Sequence, residues 1–254
     1  LDGVEKTLSL LDQEIEDIEA RIEERGEQIE RHRDRAEELE SDAETAAGPG
    51  DTIYILAGDG TTSGQSLGII LDGDDQRLIG EGVPLVVDAN KLLGLDPFAT
   101  AAINNQQLRP AGSRPVITNS AGDGIDVQAN NIEIAGLEID GASGNGLNAV
   151  FSGSDRGSLT LNNLIANNNS NSGLRVVSSE NSSIEVSLNT ITANNNGVDG
   201  IRLSSIQSGS LISSLQNAQA NSNAADGILV QSLNTSTHNA TLTDITADNN
   251  SDDG

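Results

Sequence analysis

The stretch Asn167-Asn168-Asn169-Ser170-Asn171-Ser172-Gly173-Leu174-Arg175-Val176 returns as Asn194-Asn195-Asn196-Gly197-Val198-Asp199-Gly200-Ile201-Arg202-Leu203. It returns again as Asn221-Ser222-Asn223-Ala224-Ala225-Asp226-Gly227-Ile228-Leu229-Val230, 27 positions further on. Gly146, Gly173, Gly200, Gly227 and Gly254 keep the same step, and the first four are each followed by Leu or Ile. A repeat this strict makes each unit one storey of a stack, burying its apolar face only against its neighbours. Most of the chain therefore reads as a solenoid.

Working outward, rows of 27 begin at residue 131. One column holds Ile134, Leu161, Leu188, Leu215 and Leu242, and two positions before it stand Ile132, Leu159, Val186, Ser213 and Ala240. Three positions after it stand Leu137, Leu164, Ile191, Ala218 and Ile245. After the glycine, Leu174, Ile201 and Ile228, then Val176, Leu203 and Val230, form a further inward pair. Apolar residues alternate with period two and are broken by polar corners, the pattern of three short strands per coil rather than of a helical repeat. At one corner an alanine column (Ala166, Ala193, Ala220, Ala247) precedes Asn167, Asn194, Asn221 and Asp248, then Asn169, Asn196, Asn223 and Asn250. Asparagine tolerates left-handed backbone, and stacked amides bond up a ladder. Glycine following Asp at 199–200, 226–227 and 253–254 reads as the turn into the next strand. The fold class expected is mainly β: a right-handed parallel β-helix of 27-residue coils over 117–254, of seven or eight coils in all.

Residues 51–116 read as the opening coils of the same stack, with strands at Ile53–Leu56, Leu67–Leu71, Arg77–Ile79 and Val83–Val87. An insertion at 89–112, carrying Leu92, Leu93, Leu95 and Phe98, breaks the strand pattern and is expected to flank or cap the bore. Residues 1–46 differ. Leu1, Leu8, Ile15, Ile22, Ile29 and Ala36 alternate with Val4, Leu11, Ile18, Arg25, His32 and Leu39 as the a and d positions of a heptad. That predicts an α-helical coiled coil about 65 Å long, closed by the linker 47–50. A lone acidic helix lying on another surface fits the same columns. A β-helix leaves unpaired edges at both ends, so further coils or a cap are expected beyond Gly254, and the chain reads as a segment of a longer protein.

Composition narrows the partners. The net charge is -26, and Tyr54, Phe98 and Phe151 are the only aromatic residues. Such acidity disfavours nucleic acid and anionic membrane surfaces. The absence of Cys excludes disulfides, thiolate catalysis and Cys-based zinc sites. No membrane-spanning run is visible, so membrane attachment is expected only through regions outside this segment.

The stretches Gly50-Asp51-Thr52-Ile53-Tyr54-Ile55-Leu56, Gly58-Asp59-Gly60-Thr61-Thr62-Ser63-Gly64 and Gln76-Arg77-Leu78-Ile79-Gly80-Glu81-Gly82-Val83 resemble the opening of β-helical passenger domains of bacterial surface proteins. They are similar in particular to inverse autotransporters of the intimin and invasin type, and the Asn-rich coils resemble pectate-lyase-like repeats. The resemblance implies an extracellular, cell-surface adhesin or stalk, with a host or neighbouring-cell glycan or protein as partner. Self-association through the coiled coil or the β-helix ends is a further expectation.

Many β-helices cleave polysaccharides, which needs clustered carboxylates with a base or a flanking acid on one groove. Glu133, Glu138 and Asp140 on one row, with Arg175 and Arg202 on later rows, are the residues to weigh; the column pattern separates them, so no catalytic residue is assigned and no enzyme activity is expected. No cofactor is expected beyond a calcium ion at the column Asp199, Asp226 and Asp253, where stacked carboxylates must spread into water, raise their pKa or share a cation. The plainer reading is that each is the solvated residue before a turn glycine. Loops 151–156, 178–183 and 204–210 are expected to be exposed and able to touch a partner. A polysaccharide-degrading β-helix with a trimeric stem, or an extracellular filament subunit, stands as the alternative to the adhesin.

Overall fold

The computed structural model describes residues 46–58, 68–87, 106–119 and 121–252, with isolated positions at 13, 21 and 43. The predicted coiled coil over 1–46, most of the insertion at 89–112, Asp253 and Gly254 lie outside the described residues. The chain divides into a unit of residues 1–42 and a unit of residues 43–254; the second is a parallel β-solenoid.

Its strands are β1 (Thr52–Ile55), β2 (Ile69–Leu71), β3 (Arg77–Gly80), β4 (Leu85–Val87), β5 (Gln106–Arg109), β6 (Val116–Ile117) and β7 (Ile125–Val127). They continue as β8 (Ile132–Ala135), β9 (Glu138–Asp140), β10 (Leu147–Phe151), β11 (Arg156–Asn167), β12 (Leu174–Ser178) and β13 (Ser183–Thr192). The last are β14 (Ile201–Ser205), β15 (Ser210–Gln219), β16 (Ile228–Ser232) and β17 (Thr237–Thr246). One sheet stacks β1-β3-β8-β11-β13-β15-β17 and a second stacks β2-β7-β10-β12-β14-β16. A short third face runs from β6 through β9 into the second half of β11. The seven strands of the first path mark six full turns.

From Ile134 onward the columns of the first sheet fall where the 27-residue step puts them, and the opening coils join the same line at other spacings. Ile53 pairs with Leu78, Leu78 with Ile134, Ile134 with Leu161, and Leu161 with Leu188. Leu188 pairs with Leu215 and Leu215 with Leu242, so one line of aliphatic side chains runs the height of the stack. The bore is filled mainly by aliphatic side chains, with Phe151 the largest of the fully buried ones. Parallel strands need both neighbours to complete their hydrogen bonds, so each storey fixes the register of the next.

Three features depart from even rows. Leu147 pairs with Ile125, 22 positions earlier, because the arch after β10 is longer than the one after β7. The turn between β3 and β8 spans 56 residues (Arg77 to Glu133), room for the antiparallel pair β4–β5. Of the predicted strand Val83–Val87, Leu85–Val87 pairs with Gln106–Arg109 rather than joining the stack. That pair lies beside the first sheet: Arg77 Nη1 donates to the Val86 carbonyl at 3.4 Å, and Arg109 stands 5.8 Å from the Tyr54 ring centre. Finally, β11, β13, β15 and β17 each turn a corner internally. Asn163, Thr190, Asn217 and Asp244 have φ of 53°, 57°, 54° and 55°, in the column headed by Gly136 at 72°. What reads as one long strand is two faces joined by a left-handed residue.

Candidate functional site: the polar corners

The corner between the third face and the second sheet carries most of the chain's polar repeats. Asn169, Asn196 and Asn223 are buried there. The Asn169 side-chain amide donates to Asn196 Oδ1 at 3.1 Å, Asn196 to Asn223 Oδ1 at 3.0 Å, and Asn223 to Asn250 Oδ1 at 3.0 Å. The same oxygens accept backbone N–H groups from the row before: Asn169 N at 3.1 Å and Asn196 N and Asn223 N at 2.9 Å. The second amide hydrogen goes back a row, from Asn196 to the Ala166 carbonyl and from Asn223 to the Ala193 carbonyl, both at 3.1 Å. Donor and acceptor capacity are both in use, which is what burial of a carboxamide demands.

Two residues earlier the chemistry is different. Asn167 Oδ1 accepts the Asn194 N–H at 2.8 Å, Asn194 Oδ1 the Asn221 N–H at 2.7 Å, and Asn221 Oδ1 the Asp248 N–H at 2.8 Å. Here the oxygen faces the following row, and the ladder bond uses no side-chain donor.

The glycines of the 27-residue step are not left-handed; among the described residues positive φ at glycine occurs at Gly50, Gly58, Gly136, Gly141 and Gly153. Gly146, Gly173, Gly200 and Gly227 do stand at the bend that enters the next strand, and the demand for glycine there is steric rather than conformational. A Cβ on Gly200 would lie 2.6 Å from both Asn223 Nδ2 and the Gly227 carbonyl oxygen, and one on Gly173 2.7 Å from the Gly200 oxygen. Glycine is there because the next storey's backbone and the amide ladder occupy the space.

Asp199 is buried, not solvated before its turn. Its Oδ1 accepts the Asp226 N–H at 3.3 Å, while Oδ2 has no hydrogen bond and stands 3.7 Å from Arg202 Nη1. Burial raises its pKa above the usual carboxylate value, the Asp226 and Asp252 charges add to that, and the Asp226 N–H and Arg202 oppose it. Asp226 occupies the next storey, and the third member expected for calcium, Asp253, lies outside the described residues. Among the described residues, no three His, Asp or Glu side chains are gathered to hold a metal ion.

The acidic and basic residues weighed for catalysis stand on different faces. Glu133, in the first sheet, accepts from Arg77 Nε at 2.6 Å. Glu138 and Asp140 belong to the third face, and Arg175 and Arg202 pair directly with one another in the second sheet. The structure does not bring them together.

The loops at 151–156, 178–183 and 204–210 are only partly exposed. Their tips, such as Ser152 to Ser154, Glu180 and Asn181, and Gln207 and Ser208, are open, but Ser178, Ser179, Ser182, Ser204 and Ser205 are buried. Ser178 Oγ lies 2.7 Å from Ser182 Oγ and donates to the Ser210 carbonyl at 2.9 Å; Ser182 Oγ donates back to the Phe151 carbonyl at 3.2 Å, and Ser236 Oγ repeats that bond two rows on, to the Ser205 carbonyl at 2.7 Å. The serines at 178, 205 and 232 follow the 27-residue step below Phe151, a signal present in the sequence and passed over.

His238 was also passed over. It pairs with Leu211, which pairs with Ile184, so it holds an inward position. Its Nδ1 lies 3.3 Å from the Gln231 carbonyl oxygen, an acceptor only, so Nδ1 carries the proton. Nε2 then accepts the Ser213 hydroxyl at 2.9 Å. Burial lowers the imidazole's pKa, the Gln231 bond opposing. Ser213 itself is buried in the bore, so the pair satisfies an interior polar position.

No family model matches the chain, and neither a curated protein nor a solved structure matches it.

Proposed function

We propose that this chain is an extracellular, surface-exposed β-helical stalk or adhesive segment, structural and binding rather than catalytic. The observation that carries this reading is the commitment of the corner polar groups to vertical bonds. The Asn169-to-Asn250 amides spend their donors and acceptors on adjacent storeys, as a load-carrying stack requires. The separation of Glu133 from Arg175 and Arg202 supports it over a polysaccharide-cleaving β-helix. The resemblance of residues 50–83 to inverse-autotransporter passengers supports the surface location, and the charge of -26 suits a rod that must stay dispersed in water. Contact with a glycan or protein of another cell is assigned to the outer faces and the tips of the loops.

The test is made on intact cells producing the full-length protein. An antibody raised against residues 131–252 is expected to label them without permeabilisation, and external protease is expected to remove the label. Labelling that appears only after the envelope is opened overturns the proposal.

A further inference from the structure

Arg175 and Arg202 are direct partners in the parallel pair of β12 and β14, which sets their backbones about 4.8 Å apart. They belong to an outward column that reads Asp126, Asn148, Arg175, Arg202 and Leu229. Both lie at intermediate exposure. Two arginines on adjacent storeys of one column, in a chain of 39 acidic and 13 basic residues, are an unusual use of scarce cations.

Their surroundings neutralise them only in part. Asn148 donates its amide to Asp126 Oδ1 at 3.3 Å and so turns its own oxygen toward Arg175 Nη1, which donates to it at 2.8 Å. Arg202 Nε reaches the Ser204 hydroxyl at 3.4 Å, and Gln231 Nε2 donates to the same hydroxyl at 2.8 Å. Arg202 Nη1 approaches the buried Asp199 at 3.7 Å. No carboxylate among the described residues bridges the two guanidiniums. Burial and the charge of Arg202 both act to lower the Arg175 pKa, with Asp123 opposing.

We infer that Arg175 and Arg202 form an oxyanion-binding site on the outer face of the second sheet, taking a sulfate or carboxylate group between the two guanidiniums. Planar guanidinium forks bind such groups through paired N–H donors, and an anion placed between them removes their mutual repulsion. The Gln231 and Ser204 side chains beside them are the polar rim. This site does not rest on the surface-display reading; it would exist in a rod of any role.

The probe is inorganic sulfate, titrated into the 254-residue chain at constant ionic strength against chloride, with the arginine Nε–Hε NMR signals as readout. Two signals, assigned with Arg175→Lys and Arg202→Lys, are expected to shift along one saturable curve. Arg175→Gln is expected to weaken the apparent affinity at least tenfold, and Arg156→Gln, at the exposed start of β11, to leave it unchanged. Saturation by acetate as well as sulfate marks a site open to carboxylates; saturation by sulfate alone marks one for sulfate esters. Either supports the site. Linear, non-saturating shifts, or equal shifts of all arginine signals, overturn it, and this wild-type result stands even where a variant fails to fold.

Discussion

Two columns of asparagine stand two residues apart at the same corner and do opposite work. In the Asn169 column each amide gives hydrogens to both neighbouring storeys and its oxygen takes two. In the Asn167 column only the oxygen takes part in the ladder. The sequence differs accordingly. The first column is Asn at 169, 196, 223 and 250, whereas the second begins at Asp140 and ends at Asp248. A carboxylate accepts an N–H as well as a carboxamide does, but it has no hydrogens to give. A third column, Asn145, Ser172, Asp199 and Asp226, also admits carboxylates: the bond to the next storey needs only an acceptor, which Asn145 presents to the Ser172 N–H at 3.2 Å and Asp199 to the Asp226 N–H at 3.3 Å.

The strongest way to break this contrast is Asn196→Asp. It removes two buried donors and sets a charge against the Asn223 and Ala166 oxygens, an expected loss of about 3–5 kcal/mol. Denaturant titration checks it, and the loss should shrink as the pH falls and the carboxyl regains a proton to donate. A loss as small as that of Asn194→Asp would sink the distinction. Gly200→Ala comes next. Its methyl meets the Asn223 amide and the Gly227 carbonyl, so an overpacking loss of about 1–3 kcal/mol is expected, read from the same titration.

Asp199→Asn sharpens the comparison with a change of sign. Because burial raises the Asp199 pKa, the folded chain holds a proton there more tightly than the unfolded chain. Stability is therefore lost as pH rises from the ordinary carboxylate value through the raised one. The Asn variant keeps the acceptor for Asp226 and is expected to melt higher at neutral pH, with the gain vanishing in acid. Equal melting points at neutral pH would refute it. The smallest effect is expected for Asn194→Asp, within about 0.5 kcal/mol.

How much of this could be read from the residues alone follows the same line. The period told which side chains share a vertical line, and Leu161, Leu188 and Leu215 do share one. It could not tell which atoms bond along a line, so the two asparagine columns looked alike. The corner at Asn163 and Thr190 was legible as a step of three, from Leu161 to Leu164 and from Leu188 to Ile191, in an alternation of two, but the period did not show that a left-handed residue makes it. The antiparallel partnership of Leu85–Val87 with Gln106–Arg109 joins segments about twenty residues apart without repeat or turn signature, and periodicity is silent about such pairs. The serine line below Phe151 was visible as spacing, but serine at a turn ordinarily faces water, and only the packed arch turns it inward.

The opposed ladders also bear on how the rod grows. A finished coil offers the next one two waiting hydrogens at the Asn169 position and a waiting oxygen at the Asn167 position. An incoming segment displaced by two residues would bring a backbone N–H against those hydrogens. The corner thus works as a keyed template, accepting each newly made storey in one alignment and rejecting the nearest misfit before the bore has closed over it.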